Sequence, residues 1–440
     1  MTLSGWGRFP RLRCNVLRPR TEAELRAALA SRPMIARGMG RAYGDSALNT
    51  NATVDMTAFN HMLAFDPASG VLTVEAGVVL GDIVAVFLPR GWFPPVTPGT
   101  KFVTVGGMIA ADVHGKNHHK HGSFGNFVEW IDLLGPDGMI RRCSRSENSM
   151  LFGWTIGGMG LTGIILRAAF RLQPVETGWI RQHTVAAPDL DRAMAAFEVA
   201  DNWSYSVAWI DCLAAGSQLG RSLLMLGEHA RRDELDLAKR AAPLATPARR
   251  ELRVPCDAPA GMLNRWSVSA FNAVYYHQGV RKAGQSLVDW DSYFYPLDAI
   301  LDWNRIYGWR GFAQFQCVLP LASSRDGLRA LLQTTSASGQ GSFLAVLKRF
   351  GAQESCFSFP MEGYTLALDF PVNGKALALM DQLDHITLDH GGRFYLAKDA
   401  RMSGETFRKA DRRVADYGAV RQQQGLSGGF ASAQSKRLGI

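Results

Sequence analysis

The sequence predicts a two-domain protein of the α+β class, and three observations support this. The chain has 440 residues, 47% of them hydrophobic and 20% charged, as in an ordinary globular protein with a packed core. Helix and strand patterns alternate as far as Leu172. Beyond about residue 178 glycine becomes rarer and aromatic residues commoner, so we place a domain boundary there.

The sequence before residue 178 predicts short helices and strands without long linkers between them. Thr21 and Glu24 form a capping box that begins a helix continuing to Leu29. The other elements predicted before the boundary are strands at 33–36, 52–56 and 71–78, a helix at 81–88 and a strand at 163–172.

The second part predicts longer helices between apolar strands. These elements are helices at 189–199, 324–333 and 374–390 and strands at 312–319 and 364–370. Gly391 and Gly392 are a typical stop signal for the last helix. Residues 228–255, with their paired arginines and prolines, have the composition of an exposed loop containing one short helix.

The charge balance favours anionic partners. Lysine and arginine number 48 against 39 acidic residues, which gives a formal net charge of +9. The basic residues are scattered, apart from the run from Arg231 to Arg253, and form no stripe interleaved with aromatics, so nucleic acid is disfavoured. Phosphate groups on a cofactor or a lipid are the favoured partners.

The cysteines and the N-terminus predict a reducing compartment. The six cysteines have neither the C-x-x-C pairing nor the histidine spacing of a zinc site: Cys14, Cys143, Cys212, Cys256, Cys317 and Cys356. No secretory signal and no run of about 18 apolar residues is visible. We therefore expect a cytoplasmic protein whose membrane contact, if it has one, is peripheral to the inner membrane.

A glycine-rich loop is the strongest local signal. After the strand at 33–36, the loop from Ala36 to Asp45 has glycines at 38, 40 and 44, so that backbone N–H groups can converge on a phosphate. The third glycine is misplaced for a Rossmann fingerprint and no amphipathic helix follows, which disfavours a nicotinamide cofactor. By itself the loop is equally typical of a tight turn.

Two further glycine segments strengthen this interpretation. Pro98–Thr100 leads into Thr104–Ala111, where small side chains would let a planar cofactor approach the backbone, although close helix packing explains the pattern equally well. Residues 156–163 again place glycines before a strand. Three such segments within the first 165 residues predict a large, phosphate-bearing cofactor.

Four histidines lie within eight positions, at 114, 118, 119 and 121. Such a cluster suggests metal binding, but the run is glycine-rich and has no acidic or thiolate partners at helical spacing. We predict no metal site.

Taken together, these motifs resemble the FAD-linked oxidase superfamily of vanillyl-alcohol-oxidase type, whose cofactor domain is of the PCMH type. Within it the chain is most similar to the branch that oxidises polyprenylphosphoryl ribose. The residues that carry the resemblance are Ser4–Arg8, Ala36–Asp45, Pro98–Thr100, Thr104–Gly107, His114–Asn126, Gly160–Ile165, Trp303–Arg305, Lys348 and Tyr395–Arg401.

The resemblance implies a discontinuous FAD-binding domain, residues 1–178 and 392–440, and a substrate domain, residues 179–391, with an antiparallel sheet and flanking helices. Many sugar and lactone oxidases of the superfamily attach the flavin to a histidine where this chain has Arg41, so FAD is expected to bind noncovalently. The implied FAD contacts are Ala36, Arg37, Gly38, Met39, Gly40, Arg41, Ala42, Tyr43, Gly44, Asp45, Ser46, Gly99, Thr104, Val105, Gly106, Gly107, Ala111, Asp112, Val113, His114, Ile165 and Tyr395.

The resemblance also implies a substrate pocket. Its residues are Tyr43, Trp209, Arg305, Gln314, Gln316, Lys348, Phe350 and Lys398. Oxidising a hydroxyl requires removal of the O–H proton while hydride leaves the carbon, and Lys398 and His114 are the candidates for this catalytic role. Lys348 and Arg305 suit a substrate phosphate. Without the motifs that carry the resemblance, each of these basic residues would be interpreted as an exposed surface charge.

Three positions depart from the family pattern. A pocket cysteine of the family corresponds to Ala367, an asparagine to Thr365 and a tyrosine to Phe294. Because none of the three is expected to carry redox chemistry, oxidation should survive while substrate preference shifts.

The expected function is oxidation of polyprenylphosphoryl-β-D-ribose to its 2-keto form. A separate short-chain reductase would complete the epimerisation to an arabinose donor for cell-wall polysaccharide. Two alternatives stay open: an oxygen-using aldonolactone or alditol oxidase, and a non-catalytic flavin-binding partner of a lipid-linked sugar. For the run Arg231–Arg253 we expect either a solvated surface or a mobile flap over the pocket that binds anionic lipid headgroups.

Overall fold

The computed structural model describes residues 1–29, 33–259 and 261–440 and confirms the α+β class. The strands are β1 (Thr2–Ser4), β2 (Arg11–Arg13), β3 (Val16–Leu17), β4 (Ile35–Arg37), β5 (Thr53–Asp55), β6 (Met62–Asp66), β7 (Val71–Glu75), β8 (Trp92–Phe93), β9 (Val128–Leu134), β10 (Ile140–Ser144), β11 (Ile164–Arg171), β12 (Gln173–Pro174), β13 (Trp179–Ala187), β14 (Tyr205–Ile210), β15 (Ser222–His229), β16 (Leu252–Arg253), β17 (Gly284–Asp289), β18 (Ile300–Leu301), β19 (Phe312–Pro320), β20 (Ala345–Phe350), β21 (Gly363–Pro371) and β22 (Arg393–Phe394). The helices are α1 (Glu22–Leu29), α2 (Leu80–Phe87), α3 (Val105–Ala110), α4 (His118–His121), α5 (Ser149–Thr155), α6 (Leu190–Val199), α7 (Leu237–Ala241), α8 (Arg265–Arg281), α9 (Trp290–Phe294), α10 (Leu321–Ser338), α11 (Gly374–Asp389), α12 (Gly404–Ala410), α13 (Arg413–Gln423) and α14 (Ala433–Leu438).

The N-terminal part contains two larger sheets, beside the two-stranded pairs β1-β2 and β8-β12. A parallel sheet has the order β3-β5-β4, and an antiparallel sheet has the order β10-β9-β11-β7-β6. Apolar residues of α2 and α3 pack against the antiparallel sheet, among them Ile83 and Met108, which are fully buried with Leu72 and Ile131. The core of this part therefore holds α3, and with it the second glycine segment, against the sheet.

The C-terminal part is built on an antiparallel sheet of eight strands in the order β17-β13-β15-β14-β20-β21-β19-β22. Successive side chains of a strand point to opposite faces. In β19, Phe315 and Cys317 belong to the apolar core that includes α10 and α11, whereas Gln314 and Gln316 line a cavity on the other face. The alternation thus gives the sheet one apolar face for helices and one polar face for a site.

The last helices return to the N-terminal part. Met34 and Phe430 form a parallel bridge, and the Ala433 N–H donates to the Leu48 carbonyl at 2.7 Å. Arg437 forms ion pairs with Asp45 at 2.7 Å and with Asp399 at 2.8 Å. The domain limits at 178 and 392 stay predictions.

Several helix boundaries follow the capping signals of the sequence. Thr21 Oγ1 accepts from the Glu24 N–H at the start of α1, and the Asp189 carboxylate accepts from the Arg192 N–H at the start of α6. Helix α11 ends before Gly391, whose φ of +68° lies in the left-handed region that favours glycine.

Helix α8 is the longest element that the sequence pattern does not indicate. Its buried side chains are apolar Val268 and polar Asn272, while apolar Trp266 and Val274 are exposed. A helix without one apolar stripe gives no periodic signal. None of the helices in the described ranges is both long and apolar enough to cross a membrane.

Candidate active site

A cavity of about 340 Å³ lies where the glycine segments meet the polar face of the eight-stranded sheet. This volume falls within the roughly 300–1,000 Å³ of small-molecule and cofactor sites. Its wall is formed by parts of 36–47, 98–114 and 159–165, by β19, β20 and β21, and by residues 395–398. The three segments that the sequence predicted to share a cofactor therefore surround one space.

The first glycine loop presents unused backbone donors to this cavity. Within the described ranges, the N–H groups of residues 38–42 donate to no protein acceptor. Gly40 has φ of +65°, which turns the chain within this run. Gly38 is tightly packed, since an added Cβ would lie 2.1 Å from Thr104 Oγ1. Five free donors along one turn fit the phosphates of a dinucleotide.

The second segment contributes in another way. The N–H groups of Val105 and Gly106 donate to the carbonyls of Val78 and Ala76, and the Gly107 N–H donates to Thr104 Oγ1 at 3.3 Å. The start of α3 is thus already satisfied and offers no anion site. Its glycines, Gly106 and Gly107, instead line the cavity without side chains, so a planar ring system can approach the backbone there.

The wall offers few groups for a covalent bond to a flavin. Arg41, at the attachment position of related oxidases, stacks its guanidinium 4.0 Å from the Trp6 ring centroid. Burial lowers the Arg41 pKa. Among the described lining residues there is one histidine, His114, and no cysteine.

Lys398 enters the cavity from the turn that follows β22. Its Nζ lies 3.5 Å from the centre of the Tyr43 ring, and no carboxylate of the described residues forms an ion pair with it. Desolvation lowers the Lys398 pKa, Lys348 lowers it further, and Asp369 opposes both effects. The site thus holds an amine that is unusually easy to deprotonate.

His114 lies beside the second segment in an aromatic cage. Its ring centroid is 4.8 Å from that of Phe350 and 5.0 Å from that of Tyr395. One ring nitrogen, Nε2, lies 3.3 Å from the Gln316 amide nitrogen, and Nδ1 has no partner. Burial, then Lys348, holds the His114 pKa well below its usual value, so the imidazole is neutral near pH 7.

Lys348 projects from β20, directly opposite Thr365 of β21. It is half-buried on the cavity wall and forms no ion pair with a described residue. Desolvation lowers its pKa to about 8, which still leaves the amine mostly protonated at neutral pH. A partly desolvated cation without a counter-ion is suited to an anionic ligand group.

Four predicted FAD contacts lie off the cavity wall. Asp45 is paired with Arg437, and the Asp112 carboxylate accepts from Ser123 Oγ at 2.5 Å. Gly44 packs against the Asp399 backbone, and Val105 is fully buried in the N-terminal core. The remaining predicted FAD contacts line the cavity: Ala36, Arg37, Gly38, Met39, Gly40, Arg41, Ala42, Tyr43, Ser46, Gly99, Thr104, Gly106, Gly107, Ala111, Val113, His114, Ile165 and Tyr395.

Three predicted substrate residues also lie elsewhere. Arg305 is engaged with Asp257 at 3.1 Å, Trp209 is covered by Tyr275 of α8, and Phe350 packs behind His114. The other members of that set, Tyr43, Gln314, Gln316, Lys348 and Lys398, line the cavity.

Of the three positions that depart from the family pattern, two line the cavity and one does not. Thr365 and Ala367 line the cavity, so they shape whatever binds there. Phe294 lies in the core against Phe93 and Tyr205, with 1% of its surface exposed, and is not on the wall.

Asp369, a buried acidic residue of the wall, was not predicted from the sequence. The available signal was a carboxylate two positions after Ala367, within an otherwise apolar strand. Asp298, Trp303 and Val346 also line the cavity and were not predicted. Across the described ranges, no three histidine, cysteine or acidic side chains are grouped to hold a metal ion.

Comparison with known proteins gives matches that cover from about a quarter of the chain to nearly all of it. Residues 15–144 match the family model described as FAD binding domain. The chain is 36% identical over 449 residues to decaprenylphosphoryl-beta-D-ribose oxidase of Mycolicibacterium smegmatis, and the match covers 99% of this chain and 97% of that protein. It is 32% identical over 376 residues to an uncharacterized protein in the mprA 5' region of Streptomyces coelicolor, covering 82% of this chain and 100% of that one. A shorter match, 32% over 115 residues, is to Delta(24)-sterol reductase of Homo sapiens, covering 26% of this chain and 22% of the reductase.

Proposed function

This chain belongs to the family of FAD-dependent oxidases that includes decaprenylphosphoryl-beta-D-ribose oxidase, and we propose that it oxidises C2 of a polyprenylphosphoryl ribose to a ketone. The observation that carries the proposal is a cavity that lies between the glycine segments and a polar sheet face and is lined by Lys398, His114 and Lys348. The full-length similarity to that oxidase supports the same substrate class.

Each group of the cavity has a part in the proposed reaction. Noncovalently bound FAD would supply the hydride acceptor. The free N–H groups of residues 38–42 would hold its phosphates, and the glycines of α3 would face its ring system. Lys398 would stabilise negative charge that develops as the hydroxyl loses its proton. His114, neutral and held by its aromatic cage, would position the sugar by hydrogen bonding.

Lys348 would bind the phosphate that links the sugar to the polyprenyl chain. Its location on β20 places a charge on the same wall as Lys398 without neutralisation by a carboxylate. Arg305, predicted to share this role, is engaged by Asp257, so the proposal assigns the phosphate to Lys348.

A second candidate is an oxygen-using aldonolactone or alditol oxidase. It is favoured by Ala367 and Thr365, which line the cavity at positions where the family has a cysteine and an asparagine. A pocket with a different shape can prefer a different substrate. A third reading, a non-catalytic flavin protein, is disfavoured because Lys398 and His114 are both on the wall.

Product analysis tests the proposal. The purified protein is incubated with a short-chain polyprenylphosphoryl ribose and with the matching 2-deoxy compound, and carbonyl products are trapped with hydroxylamine. We expect a product lacking two hydrogens from the ribose compound alone. A trapped product from free lactones or alditols, with none from the lipid-linked sugar, would transfer the proposal to the second candidate.

Two partners complete the proposal. A keto sugar formed at C2 needs a reductase of the short-chain type to become the arabinose epimer, and a polyprenyl tail needs a membrane surface near the cavity. Exposed Arg250 and Arg253 lie two positions before and one position after Leu252, which is itself 56% exposed. Strand β16 in this run pairs with β18, which directly follows the cavity residues Leu297 and Asp298.

This basic run is expected to bind anionic membranes. Because each basic residue near such a surface contributes about 1 kcal/mol, replacing Arg231, Arg250 and Arg253 with glutamate should lower binding to phosphatidylglycerol vesicles by at least about 100-fold in sedimentation. The control carries the same charge change at exposed Arg13, Arg20 and Arg412. Equal vesicle binding by both triple variants would remove the membrane contact from the proposal.

The first glycine loop should be sensitive to a single methyl group. In Gly38→Ala the new Cβ would overlap Thr104 Oγ1, and overpacking of this kind costs about 1–3 kcal/mol. We expect FAD affinity to fall roughly 10- to 100-fold, measured by titrating apoprotein with FAD and following flavin fluorescence. Gly418→Ala, where the Cβ meets nothing within 4 Å, is the control and should retain its affinity. Unchanged affinity in Gly38→Ala would show that this loop does not bind the cofactor.

A further inference from the structure

Asp369 is a buried carboxylate on the cavity wall for which the proposed function has no use so far. It lies on β21 directly opposite Gln314 of β19, and none of its surface is exposed to bulk solvent. Its Oδ1 accepts a hydrogen bond from the Gln314 amide, and its own N–H donates to Ser342 Oγ at 2.8 Å. The residue is therefore held rigidly on the polar face of the sheet.

The second oxygen of this carboxylate has no partner. Oδ2 makes no hydrogen bond within the described residues, although it is completely buried. An unsatisfied buried carboxylate oxygen is costly, and such groups are rare unless a ligand completes them. The cavity that Asp369 lines is the place from which a hydroxyl donor can reach it.

The charged neighbour of Asp369 is on the same wall but does not neutralise it. Lys398 interacts with Asp369 electrostatically, yet the two side chains form no ion pair. Tyr43 and Tyr307 also face Asp369, and burial raises both of their pKa values well above the usual range, so neither phenol ionises near neutral pH. The Asp369 carboxylate and the Lys398 amine thus lie near each other without forming an ion pair. One substrate hydroxyl could therefore donate its proton to Asp369 while Lys398 stabilises the charge on its oxygen.

We propose that Asp369 Oδ2 is the base that accepts the proton of the hydroxyl being oxidised, while Lys398 stabilises the substrate oxygen. This inference rests on the proposed function. The O–H bond breaks and its proton goes to Oδ2, while the O–H electron pair forms the second C–O bond. FAD held in this cavity would take the hydride as the C–H bond breaks with its electron pair, so that the two electrons lost by the carbon would reduce the flavin.

The other candidates suit this task less well. His114 has a pKa far below its usual value, so its imidazole is a weak base. Lys398 is assigned to the substrate oxygen as an ammonium group, and an ammonium group has no lone pair with which to accept a proton. Burial raises the Asp369 pKa, which brings a carboxylate closer to the basicity that proton transfer near neutral pH requires.

Stopped-flow reduction of the holoenzyme tests the assignment. In Asp369→Asn, the rate of flavin reduction by substrate should fall roughly 10²- to 10⁴-fold, with flavin content unchanged. In the wild type the rate should fall as pH decreases through the raised Asp369 pKa, because protonation removes the base; this acid limb should be absent from the variant. Asp211→Asn is the control, since Asp211 is a buried carboxylate that does not line the cavity and is paired with Arg221 at 2.8 Å. It should keep the acid limb.

A binding measurement on the wild-type protein gives a readout without turnover. An analogue with fluorine in place of the reacting hydroxyl cannot donate a hydrogen bond and would be repelled by an ionised Asp369. As pH falls through the Asp369 pKa, its affinity should rise more steeply in the wild type than in Asp369→Asn, where the lysines Lys348 and Lys398 still titrate on the cavity wall. The same pH dependence of affinity in both proteins, or an Asp369→Asn enzyme with normal rate and acid limb, would overturn the inference. A wild-type flavin that no ribose compound reduces would instead count against the proposed function.

Discussion

Replacing Lys398 with methionine is expected to slow flavin reduction by the lipid-linked sugar roughly 10²- to 10⁴-fold. Methionine keeps a long apolar side chain over the Tyr43 ring but removes the amine that would stabilise the substrate oxygen. Flavin binding should persist, because the N–H groups of residues 38–42 are untouched. Stopped-flow absorbance at saturating substrate separates this loss from weaker binding.

The same variant makes a second, qualitative prediction about pH. Desolvation lowers the Lys398 pKa, so the ammonium is lost as pH rises through that value and the wild-type rate should fall on the alkaline side. Together with the acid limb from Asp369 this gives a bell-shaped profile whose two apparent pKa values belong to the pair. Lys398→Met should lack the alkaline limb. Lys375→Met, at an exposed position, is the control and should match the wild type; a Lys398→Met enzyme that also matched it would exclude Lys398 from the chemistry.

Replacing Lys348 with glutamine is expected to raise KM for a polyprenylphosphoryl ribose roughly 10- to 100-fold while leaving kcat nearly unchanged. Hydrogen bonds to charged groups contribute about 1.5–3 kcal/mol. Because Lys348 has no protein counter-ion among the described residues, its hydrogen bond to the substrate phosphate should add this amount to the binding free energy. A ribose compound without phosphate should show the same KM with both proteins. Lys348→Arg should recover part of the affinity, since it restores the charge.

The result that contradicts this assignment is equally specific. If Lys348→Gln lowered kcat for phosphorylated and unphosphorylated sugars alike, Lys348 would act on the reacting end of the substrate. If it changed neither constant, the phosphate would have to bind outside this cavity.

Much of the fold could be predicted from the sequence because its signals are local. The helix start at 189 and the stop at Gly391 are properties of a few neighbouring residues, and the structure begins α6 at Leu190 and ends α11 at Asp389. Helix α8 could not be found in this way, because its exposed side includes Trp266 and Val274 and no apolar period marks it.

The glycine segments could be grouped from the sequence, while the individual FAD and substrate contacts stay predictions. The glycine segments meet as expected because each carries its own backbone signal. Asp45 and Arg305 were assigned to ligands, but their partners, Arg437 and Asp257, lie 392 and 48 positions away, and no local pattern reveals such pairs. Asp369 was missed for the related reason that its importance depends on neighbours from other strands, Gln314 and Ser342.

The central claim is that this FAD-dependent oxidase acts on a lipid-linked ribose. Anaerobic mixing of the holoenzyme with a short-chain polyprenylphosphoryl ribose, followed by the visible absorbance of the flavin, tests it most directly. The account predicts bleaching in a single turnover, with none from the matching 2-deoxy compound. A flavin that stays oxidised with the lipid-linked sugar but is bleached by free aldonolactones or alditols would contradict it.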